Sequence, residues 1–555
     1  MSNEEPQPPD YVKEGPCCQE KAKSPSPAAP PAPADDIERA LTTVTQNPDF
    51  LQGVSFWLVT AALAVQVFIV NLEIPVVTTS LVAITHDLGG LDKISWVVSS
   101  YLLGYAGIIV ISAKFSDLYG RKTVFIASIV VFTVFSAACS AAQNITQLIV
   151  FRAFQGVGGG SCYSISQVII TDVVEPARFS AYVSQLSIVS SLALLLGPIV
   201  GGAISSHTTW RWIFIINVPV SIIALALTLW GMPKRFGFKG QLPAAAKLPL
   251  ARVDLLGSVL LFFAVVLLTA GFEEAGSEFS WNSAYVITML ILAGLFWIAL
   301  LLWEYRVTAQ SALREPVLPW RFFTNRVMVG AILTLLFLGG PIIVSLFQLP
   351  DKFQLVYGLS GLDAGVRLIP FSLAVPFGSG VGPAVATKLK IPALFVIIAG
   401  AMLQVIGFAL LGTLPDTLTI PDRMYGFEIL SGFGCGLCFT PLFLVITGAV
   451  DARDRAVGLG AGNQFRLIGS AIIIAVSTSI FNSFVSGGLA DILGSDYGSL
   501  VSLGQQLASL PADKQVAAKL VLSRGFRQQM FVLAASAGAQ IPSSMLMWGK
   551  DKTMI

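Results

Sequence analysis

The chain has 555 residues, of which 54% are hydrophobic and only 12% are charged. A soluble globular protein carries about 25% charged residues, so this composition excludes an ordinary soluble domain and indicates a membrane protein. The formal net charge of +2 says little about partners, and we predict no nucleic-acid partner. The six cysteines are too few and too scattered for a disulfide scaffold, and we predict neither a metal site nor a cofactor.

The first segment differs from the rest of the chain. Residues 1–50 are rich in Pro, Ala and charged side chains. Such a composition cannot bury a core, so we predict a disordered cytosolic tail.

Long apolar segments follow the tail, separated by polar breaks. A bilayer core about 30 Å thick is crossed by about 20 helical residues at 1.5 Å each. The segments lie near 54–77, 94–113, 123–142, 148–170, 181–204, 212–231, 255–271, 284–303, 328–349, 362–386, 392–412, 425–448, 457–481 and 528–548. The sequence therefore predicts an all-α polytopic membrane protein with fourteen transmembrane helices.

Two polar linkers, at 232–254 and 304–327, bracket one pair of spans. They divide the spans into six, two and six, and two structural repeats around a central site are typical of transporters. The predicted domains are an N-terminal six-helix bundle at 51–231, linkers with a two-helix insertion at 232–327, and a C-terminal six-helix bundle at 328–555 with an external loop at 482–527.

Lys and Arg concentrate in alternate loops. Cytoplasmic loops carry an excess of these residues, which predicts that both termini are cytosolic. Glu273, Glu274 and Glu278 fall in one of the short loops on the opposite side.

The stretch AKFSDLYGRK at 113–122 is a polar island between two apolar segments. We predict a cytosolic loop in which Gly120 permits a tight turn, while Arg121 and Lys122 fix the positive side against the headgroups. A carboxylate among cations, Asp117, can change partners when two helical bundles move. The alternative is a simple anchoring loop.

AKFSDLYGRK resembles the loop motif of the major facilitator superfamily. LIVFRAFQGVGGG at 148–160 resembles the fourth-span motif of the same family, with Arg152, Gln155 and Gly156 on its defining positions. LALLLGPIVGG at 192–202 resembles its fifth-span antiporter motif.

Two further stretches resemble the fourteen-span drug:proton antiporters of this superfamily. VNLEIPVVTTSLVAI at 70–84 is similar to their first-span motif, although Glu73 replaces the usual Asp and Pro75 the usual Thr. TTWRWIFIINVP at 208–219 is typical of fungal multidrug and toxin exporters. The resemblance implies the major facilitator fold, with two six-helix bundles and a two-helix insertion.

Four ionisable residues lie inside predicted spans: Glu73, Arg152, Glu428 and Arg466. Such a residue at the bilayer centre costs about 2.5–3.5 kcal/mol on insertion scales, so it usually faces protein or a water-filled path. Our hypothesis is that Glu73 binds the coupling proton and that Arg152 adjusts its proton affinity or relays the charge. Glu428 is a candidate second proton site or a counter-charge for cationic substrates.

Structural interpretations remain open for the same residues. Glu73 can be an outer carboxylate that snorkels to the interface, and Arg152 can be a hydrogen-bond hub. Arg466 is expected to brace a helix contact. Gln155 and Gly156 are expected to be structural.

The antiporter motif combines Gly197, Pro198, Gly201 and Gly202. Proline kinks a helix and glycines let a neighbouring helix approach closely. In the resembled family this motif occurs in exporters, which implies a sealed helix contact that discourages leak. A generic packing kink is the alternative.

The resemblance implies a proton-coupled secondary transporter, not an enzyme, that exports small amphipathic organic compounds such as drugs, toxins or secondary metabolites by alternating access. The alternatives are a siderophore or nutrient proton symporter and, more distantly, a non-transporting membrane sensor. The expected partners are a small-molecule substrate, protons and the lipid bilayer. We expect a monomer in the plasma membrane, with the vacuolar membrane as the alternative.

Overall fold

The computed structural model describes residues 51–89, 93–233, 253–276, 279–310, 314–451, 454–493 and 511–549. The predictions for the tail at 1–50 and for most of the linker at 232–254 lie outside the described residues. Glu278 lies outside them as well.

The described residues are helical almost throughout. The N-terminal half contains α1 (Gly53–Leu88), α2 (Ile94–Tyr119), α3 (Arg121–Ser140), α4 (Ile145–Val173), α5 (Pro176–His207), α6 (Arg211–Ile215) and α7 (Asn217–Gly231). The insertion contains α8 (Leu255–Glu274) and α9 (Ala284–Gln310). The C-terminal half contains α10 (Arg321–Thr324), α11 (Arg326–Leu355), α12 (Gly361–Arg367), α13 (Ile369–Leu389), α14 (Ala393–Gly412), α15 (Arg423–Ala449), α16 (Arg455–Leu493) and α17 (Ala512–Met545).

Every apolar segment that the sequence predicts falls on a helix. The segment near 362–386 breaks into two pieces, α12 and α13, on either side of Leu368, and the segment near 212–231 is divided at Ile216 into α6 and α7. Pro370 stands in the first turn of α13, where the missing N–H would have had no intrahelical acceptor.

Among the described residues, twelve helices are long and apolar enough to cross a membrane. An all-helical polytopic membrane protein is therefore confirmed, whereas the count of fourteen stays a prediction. The two long helices that do not meet this measure are α4 and α17. α4 is rich in Gly, Ser and Gln, and most of these side chains are buried in protein, so its composition reflects protein contacts and not lipid.

The predicted external loop at 482–527 contains the ends of two long helices. α16 continues to Leu493 and α17 already begins at Ala512. Val485 and Leu489 pack against Leu522 and Phe526 in a small apolar cluster, and burial of these side chains stabilises both helical ends.

The turn between α2 and α3 is shorter than the sequence predicts. The two helices are separated by Gly120 alone, whose φ is +87°. Glycine adopts positive φ without steric cost, so one residue is enough to reverse the chain. Asp117 and Arg121 consequently lie in helices and not in a ten-residue loop.

The two halves touch near the end of α2 that carries this turn. α2 contacts α16, and α5 contacts α13. The backbone N–H of Val110 donates to Gln464 Oε1 at 3.2 Å, which joins α2 to α16 by a polar contact. This end of the molecule is therefore closed between the halves.

The antiporter motif places α5 directly on α1. A Cβ added at Gly197 would lie 2.3 Å from Cγ of Pro75, and one at Gly201 would lie 2.5 Å from the carbonyl oxygen of Val76. A Cβ at Gly202 would meet nothing within 4 Å. Close approach therefore requires glycine at the first two positions but not at the third.

Gly201→Ala should lower the thermal unfolding midpoint of the purified protein, because overpacking of a close helix contact costs about 1–3 kcal/mol. Gly202→Ala is the matched control. It should keep or raise the midpoint, because Ala is favoured over Gly in a helix by about 0.8–1.0 kcal/mol. Equal losses in the two variants would show that the α1–α5 contact does not depend on the missing Cβ.

Candidate functional site

An ion pair is buried inside the N-terminal half. Glu73 comes from α1 and Arg152 from α4, and Arg152 Nη1 lies 2.6 Å from Glu73 Oε1. The side chains are 1% and 0% exposed respectively. Glu73 does not reach the surface, so the snorkelling interpretation does not describe this arrangement.

Neutral side chains complete the hydrogen bonds of this pair. Gln155 accepts a hydrogen bond from Arg152 at 2.9 Å and donates to Glu73 Oε1 at 3.0 Å. It also donates to Ser136 on α3 at 2.8 Å. Gln155 of α4 therefore links the carboxylate on α1 to α3.

Asn217 is a member of the cluster that the sequence analysis does not single out. Its Nδ2 donates to Glu73 Oε2 at 2.5 Å, and the residue is buried at the start of α7. The available signal was an amide within the motif at 208–219, between apolar residues. The same motif is anchored again further out, where Trp210 and Arg211 donate to Asp87 at 2.9 and 2.6 Å.

The outer anchor lies beyond the apolar part of α1, in an exposed position. Hydrogen bonds from Arg211 and Trp210 hold the pKa of the Asp87 carboxyl below its usual range. These contacts of Asp87 stabilise the folded state at pH values above the pKa of the carboxyl in the unfolded chain. The stabilisation is lost as the pH falls through the lower pKa of the folded state.

The guanidinium of Arg152 has two further contacts. Its Nε donates to the carbonyl oxygen of Val97 at 3.0 Å, and the group lies 4.3 Å from the centre of the Tyr101 ring. These contacts with α2, together with the ion pair, make Arg152 a junction between α1, α2 and α4.

A central cavity of about 260 Å³ separates the two halves. Its walls come from α1, α2, α4 and α5 on one side and from α11, α13, α15 and α16 on the other, and α8 of the insertion closes a third side. Glu73 does not line the cavity, but Asn71 and Ile74 of the same helix do. Among the aromatic side chains, Phe347 lines the cavity, whereas Tyr101 is buried beside Arg152.

The end of α8 differs from the sequence prediction. Glu273 and Glu274 are the last residues of α8 and not part of an external loop. Glu273 lines the central cavity together with Thr269, one turn earlier. The insertion therefore contributes an acidic residue to the cavity, which the spacing of acidic residues alone did not indicate.

Glu428 lies in α15 and is fully buried. Within the part of the chain that the structure describes, neither of its carboxyl oxygens has a hydrogen-bond partner. Lys352, buried near the end of α11, is the cation that acts on it electrostatically. Glu428 is not part of the cavity wall.

Arg466 belongs to the cavity wall, on α16. Its guanidinium lies 5.7 Å from the centre of the Phe439 ring. The sequence predicts that Arg466 braces a helix contact, whereas its side chain lies against the cavity and an aromatic ring.

The loop motif forms a compact charge network. Arg121 Nη2 lies 2.6 Å from Asp117 Oδ1, and Arg121 Nε donates to Asp172 Oδ2 at 3.0 Å. Lys122 donates to the carbonyl oxygens of Leu229 and Met232. The partners of Arg121 belong to the N-terminal half, whereas Lys114 of the same motif lies 2.7 Å from Glu315 Oε2 in the second linker.

Helical halves that face each other across a central cavity, with charges buried inside the bundle, define a polytopic membrane transport protein. The sequence model described as Major Facilitator Superfamily matches residues 50–274 and 275–474, and the chain belongs to this family.

Two fungal relatives cover most of the chain. It is 32% identical over 514 residues to the MFS-type transporter FPY5 of Fusarium mangiferae, covering 92% of this chain and 86% of that protein. It is 30% identical over 479 residues to the efflux pump FUS6 of Gibberella fujikuroi, covering 85% of this chain and 83% of that protein.

A solved structure supports the fold independently. The MFS proton:xylose symporter XylE bound to 6-bromo-6-deoxy-D-glucose is similar with a TM-score of 0.56 at 13% identity, over 89% of this chain and 95% of that chain. The likeness concerns the fold alone.

Arg152→Gln should lower the thermal unfolding midpoint strongly, because removing one partner of a buried ion pair costs about 3–5 kcal/mol. The double variant Arg152→Gln with Glu73→Gln leaves no uncompensated charge, so much of the loss should return. Thermal unfolding of the purified proteins at one pH measures both effects. Losses that simply add would contradict coupling between the two residues.

Proposed function

We propose that the chain is a proton-coupled exporter of small amphipathic organic compounds that works by alternating access between its two halves. The observation that carries the proposal is the buried pair of Glu73 and Arg152, in which Glu73 lies on the same helix as the cavity-lining Asn71 and Ile74. The name of the fungal relative FUS6, an efflux pump, supports export as the direction.

Glu73 is the proposed proton site. Protonation removes the negative charge that Arg152 neutralises. It also turns one of the two carboxylate oxygens that accept hydrogen bonds from Gln155 and Asn217 into an O–H donor. A buried cation without its counter-charge is strongly disfavoured. The cluster therefore has to rearrange when the proton binds, and α1 is the helix that carries this change.

The contact between α1 and α5 can transmit the change to the cavity. Pro75, two residues after Glu73 in α1, packs against Gly197 of α5. Asn71 Nδ2 of α1 lies 3.5 Å from Ser190 Oγ of α5. Asn71 and Ser190 both line the cavity. A shift of α1 against α5 would therefore reshape one wall of the substrate site.

Glu428 is the proposed second proton site or counter-charge in the C-terminal half. Its complete burial and the electrostatic influence of Lys352 support a group whose charge depends on a local rearrangement. Its position outside the cavity wall favours a proton role over direct contact with a cationic substrate.

The loop motif is the proposed gate element. Asp117, Arg121 and Asp172 hold the ends of α2, α3 and α4 together, beside the contact of Val110 with Gln464 that closes the halves. Opening at this end requires the α2–α16 contact to separate. Asp117 is the group that can exchange partners when this happens.

Fourteen spans remain the proposed architecture. α4 has 29 residues and α17 has 34 residues, which is long enough to cross a bilayer at 1.5 Å per residue. α4 packs against α2 and α3, and α17 packs against α11 and α14. With these helices, the six–two–six division at 51–231, 232–327 and 328–555 follows.

The distribution of Lys and Arg supports cytosolic termini. We assign the protein to the plasma membrane as a monomer, which fits the export of compounds out of the cell.

Glu73→Gln tests the proton site in vesicles that contain the purified protein and a fluorescent pH indicator. The probes are naphthalene-2-sulfonate and 2-naphthylmethyl-trimethylammonium, whose fixed charges prevent passive crossing. Transport driven by a pH gradient should fall to the level of empty vesicles, because glutamine cannot release a proton. The matched control is Glu175→Gln, whose side chain is 53% exposed, and it should behave as wild type.

Unchanged transport with unchanged pH dependence in Glu73→Gln would overturn the proton assignment. Proton flux in the same direction as the probe would instead indicate a symporter.

A further inference from the structure

Arg466 is a buried cation that faces the central cavity. It is 6% exposed and lines the cavity from α16. Its Nε is fully buried and has no hydrogen-bond acceptor among the described residues. A guanidinium is always charged in proteins, so this position holds a positive charge at every physiological pH.

Two buried arginines of the N-terminal half are arranged differently from Arg466. Arg152 pairs with Glu73, and Arg121 pairs with Asp117 and Asp172. For Arg466, no carboxylate of the described residues forms an ion pair. A buried charge without a counter-charge is costly, and an anionic ligand in the cavity would offset that cost.

Aromatic side chains surround the same space. Phe439 lies beside the guanidinium, and Tyr105 and Tyr163 line the cavity with their ring centroids 6.0 Å apart. Phe347 and Phe371 line it from the C-terminal half. These rings suit a flat apolar body, while the planar guanidinium suits an acidic group that accepts two parallel hydrogen bonds.

Glu273 is the cavity's acidic side chain, on α8, and it accepts a hydrogen bond from Ser99. In its ionised form this side chain would repel a second negative group on a ligand. The cavity therefore combines one anion-binding group with apolar walls and an acidic wall contributed by the insertion.

We propose that Arg466 is the anion-binding residue of the central cavity and that the cargo is an aromatic compound with one acidic group, such as a carboxylate or a sulfonate. This inference rests on the proposed transport function and names the substrate class of the same site.

The test is equilibrium binding to the full-length purified protein in lipid nanodiscs, without a pH gradient. Three probes share one ring system and differ in charge: naphthalene-2-sulfonate, naphthalene-2-sulfonamide and 2-naphthylmethyl-trimethylammonium. Wild-type protein should bind the sulfonate more tightly than the other two. Arg466→Gln should weaken sulfonate binding by about tenfold or more, because hydrogen bonds to charged groups are the strong ones, and should change sulfonamide binding little.

Two variants serve as controls. Arg466→Lys keeps the charge and should recover part of the lost sulfonate affinity. Arg178→Gln removes an arginine whose side chain is 74% exposed and should leave the binding of all three probes unchanged. Thermal unfolding of each variant establishes that it is folded.

The proposal is overturned if wild-type protein does not prefer the sulfonate, or if Arg466→Gln weakens the sulfonate and the sulfonamide equally. Because binding is measured without a gradient, the result does not require coupled transport. Wild-type protein that keeps its sulfonate preference but shows no transport driven by a pH gradient would contradict the coupling alone, and the reverse pattern would contradict the cargo class alone.

Discussion

A carboxylate and a guanidinium that are buried together hold the N-terminal half in one arrangement. Neither Glu73 nor Arg152 is stable in this interior without the other, and the remaining hydrogen-bonding capacity of the carboxylate is taken up by Gln155 and Asn217. Through Ser136, the cluster reaches a further helix. Arg152 also contacts α2 through the carbonyl oxygen of Val97. Five helices, α1, α2, α3, α4 and α7, are therefore connected to a single pair of charges.

The sequence predicts the helices well because membrane spans are defined by length and apolar composition, which are local properties. It also identifies Glu73 and Arg152, since ionisable residues in apolar segments are conspicuous. It does not identify Asn217, because a single amide in an apolar helix carries no indication of the direction in which it points. The same limit applies to Arg466, for which the cavity is visible only when helices from both halves are assembled.

Helix ends are the features that local composition determines least. Glu273 and Glu274 were assigned to a loop because charged residues usually mark the end of a span, yet they lie on the last turn of α8. The residues before 493 and after 512 are helical because they bury one another's apolar side chains. Tertiary contacts therefore decide where these helices stop.

The proposed proton site and the proposed cargo site occupy different places. Glu73 lies within one half, and Arg466 lies between the halves, so a proton and an anionic cargo do not compete for the same group. In the proposed mechanism, the two sites are connected through the packing of α1 on α5.

The position of α8 has a consequence for how this cavity is built. Thr269 and Glu273 form part of its lining, although they belong to the helix pair that lies between the N-terminal and C-terminal halves of the chain. A transporter of this fold without the helix pair would have to close that flank with lipid or with another helix. The helix pair is thus part of the cavity wall. Substitutions in it can change which molecules fit the cavity without any change in the N-terminal or C-terminal half.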